Sequence, residues 1–234
     1  MSESFGRTGL NLKGIVIDMD GTITRFNLDY MSARRRTLDE LDKHGLRTPD
    51  MNDQVSLWVV LKKLQDTLKP EEFRKLRDTC YAFFEEMEVK AANNVSLYPG
   101  AVDALRELRS KSLKLGLVTN NSRAGTDLTL KRLNLQSLFD AIVTRDDCEE
   151  MKPAPAPILK ILAEIGVSPE SAIFVGDGVM DVTAAKAAGV RSVAVTTGPF
   201  PVGRLLKAEP DYVLNSVRDL PSLVENLVSE EICN

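Results

Sequence analysis

Several polar residues fall where short apolar runs give way to loops, and their types suit phosphate chemistry. Asp18 and Asp20 stand two apart in the stretch Gly14-Ile-Val-Ile-Asp-Met-Asp-Gly-Thr22, where a β-branched run ends in two acids and a glycine. Two carboxylates so close on one loop can converge on a cation, and Gly21 lets the backbone turn tightly and approach a ligand. Thr119 and Asn120 end a second apolar run, Lys152 follows a third, and Gly176-Asp177-Gly178 with Asp181 follows a fourth. A carboxylate can attack phosphorus and form an acyl-phosphate, which splits one hard displacement into two. A neighbouring acid can protonate the leaving group and then activate water. Carboxylates and phosphate repel, so a magnesium ion held by hard oxygen ligands would have to bridge them. The other phosphate oxygens need a hydroxyl, backbone amides and a fixed cation. Each residue alone has a plainer reading. Asp20-Gly21 and Gly176-Asp177-Gly178 are common turn sequences, Thr119 can simply end a strand, and Lys152 can be a solvated loop lysine. Those readings do not account for the whole set in this order.

Elements must bring these residues together. The run at 14–18 reads as a buried strand, although so short a run does not by itself exclude a helix. Residues 29–43 read as a helix, with Tyr30 or Met31, Leu38 and Leu41 at helical steps and Gly45 closing it. Residues 51–68 read as a second helix, carrying Val55, Trp58, Val59, Leu61 and Leu64. Pro70-Glu71-Glu72 opens a third, running through Phe73, Leu76, Cys80, Phe83, Phe84 and Met87. After Tyr98-Pro99-Gly100 the pattern alternates. Helices are expected over 101–110, 122–133, 153–165, 179–188 and 219–228. Strands are expected over 113–119, 141–144, 171–176, 190–195 and 211–214. Strands apolar on both faces, alternating with helices, indicate an α/β fold with a doubly wound, Rossmann-like parallel sheet. A small α-helical domain is inserted after the first strand. The expected division is 1–24 and 97–234 for the α/β core and 25–96 for the helical insertion. In such sheets ligands bind at the carboxyl ends of the strands, where the polar residues fall.

Composition narrows the function. The chain of 234 residues is 43% hydrophobic and 27% charged, as an ordinary globular protein is. A net charge of −4 argues against a general nucleic-acid binder. No apolar run approaches the ~20 residues of a membrane helix, and the polar start does not read as a signal peptide. Cys80, Cys148 and Cys233 are odd in number and widely spaced, which fits neither a disulfide framework nor a zinc site. A cytoplasmic setting, no membrane partner and a monomer or homodimer are the expectations. The single histidine, His44, excludes a multi-histidine metal site, and beside Gly45 it suits a helix end.

At this point the sequence resembles the haloacid dehalogenase superfamily, in its phosphoglycolate phosphatase-like branch. The resemblance covers nearly the whole chain. Its motifs appear as Asp18-Met19-Asp20-Gly21-Thr22, Thr119-Asn120, Lys152 in Lys152-Pro153-Ala154-Pro155, and Gly176-Asp177-Gly178-Val179-Met180-Asp181. The helical insertion resembles the family's cap. The resemblance implies that Asp18 is the nucleophile that becomes phosphorylated and Asp20 the general acid and base. It implies Mg2+ as cofactor, bound by the Asp18 and Asp177 side chains and the Asp20 backbone carbonyl, with Asp181 a ligand directly or through water. It implies that Thr119 and Lys152 hold the phosphoryl group, helped by backbone amides near Met19, Gly21 and Asn120. The second acid, Asp20, is lacking in the dehalogenase branch, so carbon–halogen hydrolysis is not expected. Gly178 departs from close relatives, which often carry serine there.

The insertion bears on substrate. Arg34, Arg35 and Arg36 cannot all face one way, since helix neighbours are about 100° apart. Arg25, Arg34, Arg35 and Lys62 are the candidates for reading a second anionic group on a substrate. The alternative is a solvated basic face, pairing with Asp39 or Glu40. The expectation is a Mg-dependent phosphatase acting on a small phosphorylated metabolite, such as phosphoglycolate or a sugar phosphate. A phosphomutase of the β-phosphoglucomutase type is the alternative. Carbon–phosphorus hydrolysis ranks lower. A non-catalytic phospho-ligand sensor would lack one of Asp18, Asp20, Lys152 or Asp177, and all four are present.

Overall fold

The computed structural model describes residues 11–52 and 55–232. The apolar runs form strands β1 (Gly14–Ile17), β2 (Lys114–Val118), β3 (Ala141–Val143), β4 (Ala172–Gly176), β5 (Arg191–Val195) and β6 (Tyr212–Leu214). They make one sheet in the order β3-β2-β1-β4-β5-β6, with every neighbouring pair parallel. The helices are α1 (Tyr30–Lys43), α2 (Leu57–Gln65), α3 (Pro70–Ala92), α4 (Ala101–Ser110), α5 (Arg123–Leu133), α6 (Ala156–Ile165), α7 (Val179–Ala187), α8 (Val202–Leu206) and α9 (Leu220–Ile232). The protein is thus a doubly wound α/β fold. The chain builds outward from β1 to β3 on one side, then restarts at β4 on the other. The strand order therefore reverses between β1 and β4, the place where such sheets hold ligands.

Register sets what meets there. Ile17 pairs with Leu117 on β2 and with Val175 on β4, so three carboxyl ends lie level. Val16, Val118, Val143 and Phe174 pack on one face against Ile158, Ile161 and Leu162 of α6 and Ala184 and Ala185 of α7. The alternate residues Ile15, Ile17, Leu115, Leu117, Ile173 and Val175 are fully buried as well, because side chains alternate faces along a strand. Each such aliphatic burial contributes about 1.5–3 kcal/mol. That rigid base holds the loops at the carboxyl edge.

Contacts divide the chain into two compact units. The first holds the sheet with α4 and α6 to α9. Within it the two linkers to the insertion pair with each other. Arg25 N–H donates to Ser96 O at 2.8 Å and Tyr98 N–H to Ile23 O at 3.0 Å, with an antiparallel bridge between Thr24 and Leu97.

The second unit comprises Asn27–Val95 and Asn120–Arg132. Asp29 caps α1 by accepting Ser32 N–H at 3.1 Å. The α3 residues Leu76, Cys80, Phe84, Glu88 and Ala92 form one buried stripe, as four-residue steps on a helix do. The Tyr30 and Phe84 rings lie 6.1 Å apart. Glu88 is an acid in that apolar stripe. Its Oε2 accepts Ser122 N–H at 2.8 Å, beside the start of α5, where helix amides lack internal partners and favour a negative charge. At the other end of α5, Arg132 donates to Asn93 Oδ1 at 2.5 Å. Both bonds tie the stretch 120–132 to α3 within this unit.

Some expected bounds shift. The helix expected over 51–68 is the shorter α2, because the Ser56 hydroxyl caps it by accepting Val59 N–H at 3.4 Å. The helix expected from 153 starts at Ala156. A residue before proline disfavours helical backbone, and both Lys152 and Ala154 precede one. The last helix runs on to Ile232, and α8 has no counterpart in the sequence reading. It carries Leu205 onto Val182 and Ala194. Among the described residues, no helix is long and apolar enough to cross a membrane. Cys233 lies outside the described residues.

Candidate active site

The β1 and β4 ends bring acids together. Asp18 follows β1 directly, and its N–H donates to Val175 O on β4 at 2.9 Å. Asp177 follows β4, and Asp181 lies in the first turn of α7. Oxygens of the Asp18, Asp177 and Asp181 carboxylates all lie within 4.8 Å of one another, and all three residues are buried. Lys152 sits among them, with Nζ 2.6 Å from Asp18 Oδ1 and 2.6 Å from Asp181 Oδ1. It is only 3% exposed. Gly178 N–H donates to the other Asp181 oxygen at 2.9 Å. The Thr22 hydroxyl stands between the remaining acids, 3.4 Å from Asp18 Oδ2 and 3.3 Å from Asp177 Oδ1.

Electrostatics follow from burial. Desolvation pushes the Asp18 carboxyl up to about 7, against the lowering pull of Lys152 and with Asp181 adding to the rise. Desolvation, then the charges of Asp18 and Asp181, push Asp177 up to about 9. Burial alone would pull the Lys152 ammonium down, but the Asp18 and Asp181 charges carry it above the ordinary lysine value. When ionised, three carboxylates exceed the one ammonium among them by two negative charges. An all-oxygen donor set with that excess could hold a hard divalent cation.

The other expected site residues are placed as follows. The Asp20 carboxylate is not among the three clustered acids and accepts Thr24 Oγ1–H at 2.9 Å. Met19 is buried, and its carbonyl accepts the N–H groups of Ile23 at 2.9 Å and Thr24 at 3.0 Å. Gly21 turns with φ 87°. Gly21 N–H donates to Thr24 O at 2.8 Å, closing the turn. Thr119 is buried, and its N–H donates to Val143 O at 3.0 Å. Asn120 begins the segment that groups with the helical unit.

Arg25 lies in the paired linkers, its guanidinium 5.1 Å from the centre of the Tyr98 ring. Within the helical unit, Arg34 is half-buried and lines a small space with Thr37, Leu38 and Phe84. Arg35 and Lys62 are exposed. Of the pairings that a solvated basic face would make, Arg36 does not form the one with Glu40. It pairs with Glu86 on α3 at 2.7 Å and stacks over Phe83, because Glu40 is engaged by Lys43 at 2.9 Å and His44 at 3.3 Å.

Residues not singled out from the sequence also shape the site. Thr22 and Thr24 stood in or beside the first motif without a role. Thr197 Oγ1 donates to Gly21 O at 2.5 Å, and Tyr98 Oη–H donates to Thr197 O at 2.6 Å. The available signal was position: Thr196-Thr197-Gly198 directly follows an apolar strand, at the sheet edge where the other site residues fall.

Fold and cluster together define a doubly wound α/β protein with an acidic centre at its topological switch point. A family model described as haloacid dehalogenase-like hydrolase matches residues 15–195, and the chain belongs to that family. A pyrophosphatase, PpaX, from Bacillus mycoides (strain KBAB4) is 28% identical over 220 residues, covering 93% of this chain and 99% of that protein. A phosphoglycolate phosphatase from Salmonella paratyphi A is 34% identical over 238 residues, covering 90% of this chain and 91% of that protein. Among solved structures, a hydrolase from Pseudomonas syringae aligns with TM-score 0.70 at 23% identity, over 92% of this chain and 98% of that one. A β-phosphoglucomutase from Clostridium difficile aligns with TM-score 0.66 at 20% identity, over 95% of this chain and 100% of that one. At those identities the structural likeness concerns the fold.

Proposed function

We propose that this protein is a magnesium-dependent phosphatase that hydrolyses a small phosphate monoester through an aspartyl-phosphate on Asp18. The observation that carries the reading is the Asp18 carboxylate at the end of β1, held by Lys152 at 2.6 Å beside the buried acids Asp177 and Asp181. The curated relatives named pyrophosphatase and phosphoglycolate phosphatase support a small phosphorylated substrate.

On this reading Asp18 attacks phosphorus through one oxygen, forming the Asp18 O–P bond as the bond to the leaving oxygen breaks. Asp20 protonates that oxygen, then takes a proton from the water that cleaves the acyl-phosphate. Asp20 would reach the reacting group by leaving Thr24, a rotation about its side-chain bonds. Lys152 and the Thr119 hydroxyl hold the phosphoryl oxygens, and Lys152 also keeps Asp18 oriented. Asp18, Asp177 and Asp181, with the Asp20 carbonyl, would hold the magnesium ion. When bound, the ion supplies charge neutralisation between carboxylates and phosphate. The helical unit would serve as the cap, with Arg25, Arg34, Arg35 and Lys62 the candidates for substrate contact.

The test is phosphate release from a panel containing phosphoglycolate, pyrophosphate, hexose phosphates and nucleoside monophosphates, with magnesium or with chelator. Magnesium-dependent release concentrated on one compound is the expected result. No release from any member by folded protein would overturn the hydrolase reading, and conversion of a β-hexose 1-phosphate to its 6-phosphate would replace it with a mutase.

A further inference from the structure

The Asp177 carboxylate is confined by backbone on two sides. A Cβ built on Gly21 would lie 2.4 Å from Asp177 Oδ2, and one built on Gly198 would lie 2.0 Å from the same oxygen. Only glycine permits either approach. Gly21 and Gly198 belong to different loops, one after β1 and one after β5, so something must hold those loops together. Thr197 does so from both ends: its hydroxyl donates to Gly21 O at 2.5 Å, and its carbonyl accepts the Tyr98 hydroxyl at 2.6 Å. The residue before it is anchored to the sheet edge, with Thr196 N–H donating to Leu214 O at 3.0 Å. Tyr98 is itself fixed by its N–H on Ile23 O and by the Arg25 guanidinium against its ring.

We propose that Tyr98 and Thr197 are positioning residues that clasp the Gly21 and Gly198 backbones around Asp177 and thereby set the affinity of the acidic cluster for its divalent cation. This rests on reading Asp177 as a cation ligand. The clasp bonds to backbone carbonyls, of Gly21 and of Thr197 itself. It acts by limiting how far Asp177 can swing. Partners that orient a metal ligand commonly set metal affinity in this way. Its chemistry is hydroxyl-specific, since both bonds are donated by a side-chain O–H.

The experiment is calorimetric titration of the whole protein with Mg2+ alone, without substrate. Tyr98→Phe and Thr197→Val should each weaken Mg2+ binding about tenfold, while melting temperature in chelator stays near wild type. The double variant should lose little more than the worse single variant, because the two bonds act as one unit. Thr197→Ser keeps the hydroxyl and should bind Mg2+ as wild type does. A role confined to packing predicts the reverse order, with Thr197→Val normal and Thr197→Ser impaired, and that result overturns the proposal. So does wild-type Mg2+ affinity in both Tyr98→Phe and Thr197→Val. Asp177→Asn separates the two levels. If it abolishes Mg2+ binding while the clasp variants bind normally, the clasp alone is wrong. If Asp177→Asn binds Mg2+ normally, the ligand assignment fails and the clasp fails with it.

Discussion

Lys152 Nζ lies 2.6 Å from Asp18 Oδ1, joining residues 134 apart in sequence inside the carboxyl edge of the sheet. The same nitrogen lies 2.6 Å from Asp181 Oδ1. One buried ammonium therefore orients the acid on the β1 loop and the acid on α7 together. Its charge-assisted bonds are short and directional.

Removing that ammonium leaves two buried carboxylates facing each other. Lys152→Ala is expected to lower stability by about 3 kcal/mol near pH 8, and to abolish capture of phosphate. The loss should shrink toward pH 5, where Asp18 can take up a proton instead. Urea unfolding of both proteins at the two pH values checks this. An equal loss at both would mean that cavity formation, not charge, dominates.

Asp18→Asn is nearly isosteric, so the fold should persist with a melting temperature at or above wild type in chelator. Turnover should fall by a factor on the order of 10³ or more. Steady-state rates and a thermal melt on the same preparation decide it. Residual activity within tenfold of wild type would remove Asp18 as the nucleophile.

The raised Asp18 and Asp177 carboxyls fix a sign for pH dependence. A carboxyl whose folded value lies above its unfolded value contributes stability that is complete below about 4. That contribution is lost as pH rises through about 7 for Asp18 and about 9 for Asp177. The protein in chelator should therefore melt at progressively lower temperature from pH 5 to pH 9. Magnesium competes with those protons, so its stabilising effect should grow across the same window. A magnesium-induced shift in melting temperature that is flat with pH would contradict this.

Asp140 offers a structural control away from the cluster. It accepts Leu115 N–H at 2.8 Å and sits 3.3 Å from both Lys114 Nζ and Arg109 Nη1. Desolvation raises its carboxyl, but those donors outweigh it and hold the group below the usual carboxylate value. Its contribution is present above the unfolded value and is lost as pH falls through the lower folded one. Asp140→Ala should cost about 1–2 kcal/mol at pH 7, with kcat unchanged. The gap from wild type should close in acid. Chemical unfolding at pH 7 and near pH 3 measures it.

Much of this protein is local in its sequence. Ile15-Val16-Ile17 before Asp18 and Ala172 to Val175 before Asp177 announce buried parallel strands ending in acids, because strand composition and loop chemistry depend on neighbours in the chain. Haloacid dehalogenase-like membership was legible from the same motifs. So were most of the element bounds; misses fell at both ends of α2, at Pro153, at α8 and at the end of the last helix, where among others the Ser56 cap, a proline pair and a long-range contact overrode periodicity. Sequence could not say that Lys152 would bridge Asp18 and Asp181, or that Asp20 would turn to Thr24. It could not say that Glu88 of the helical insertion would tie down Ser122. Nor could it join Thr197 to Gly21, 176 residues away. Apart from the local Asp20–Thr24 bond, each depends on which loops the parallel register brings level and which helix stripe meets which helix end. Residue types set what chemistry was available, and only the tertiary structure decided which groups stand within bonding distance to perform it.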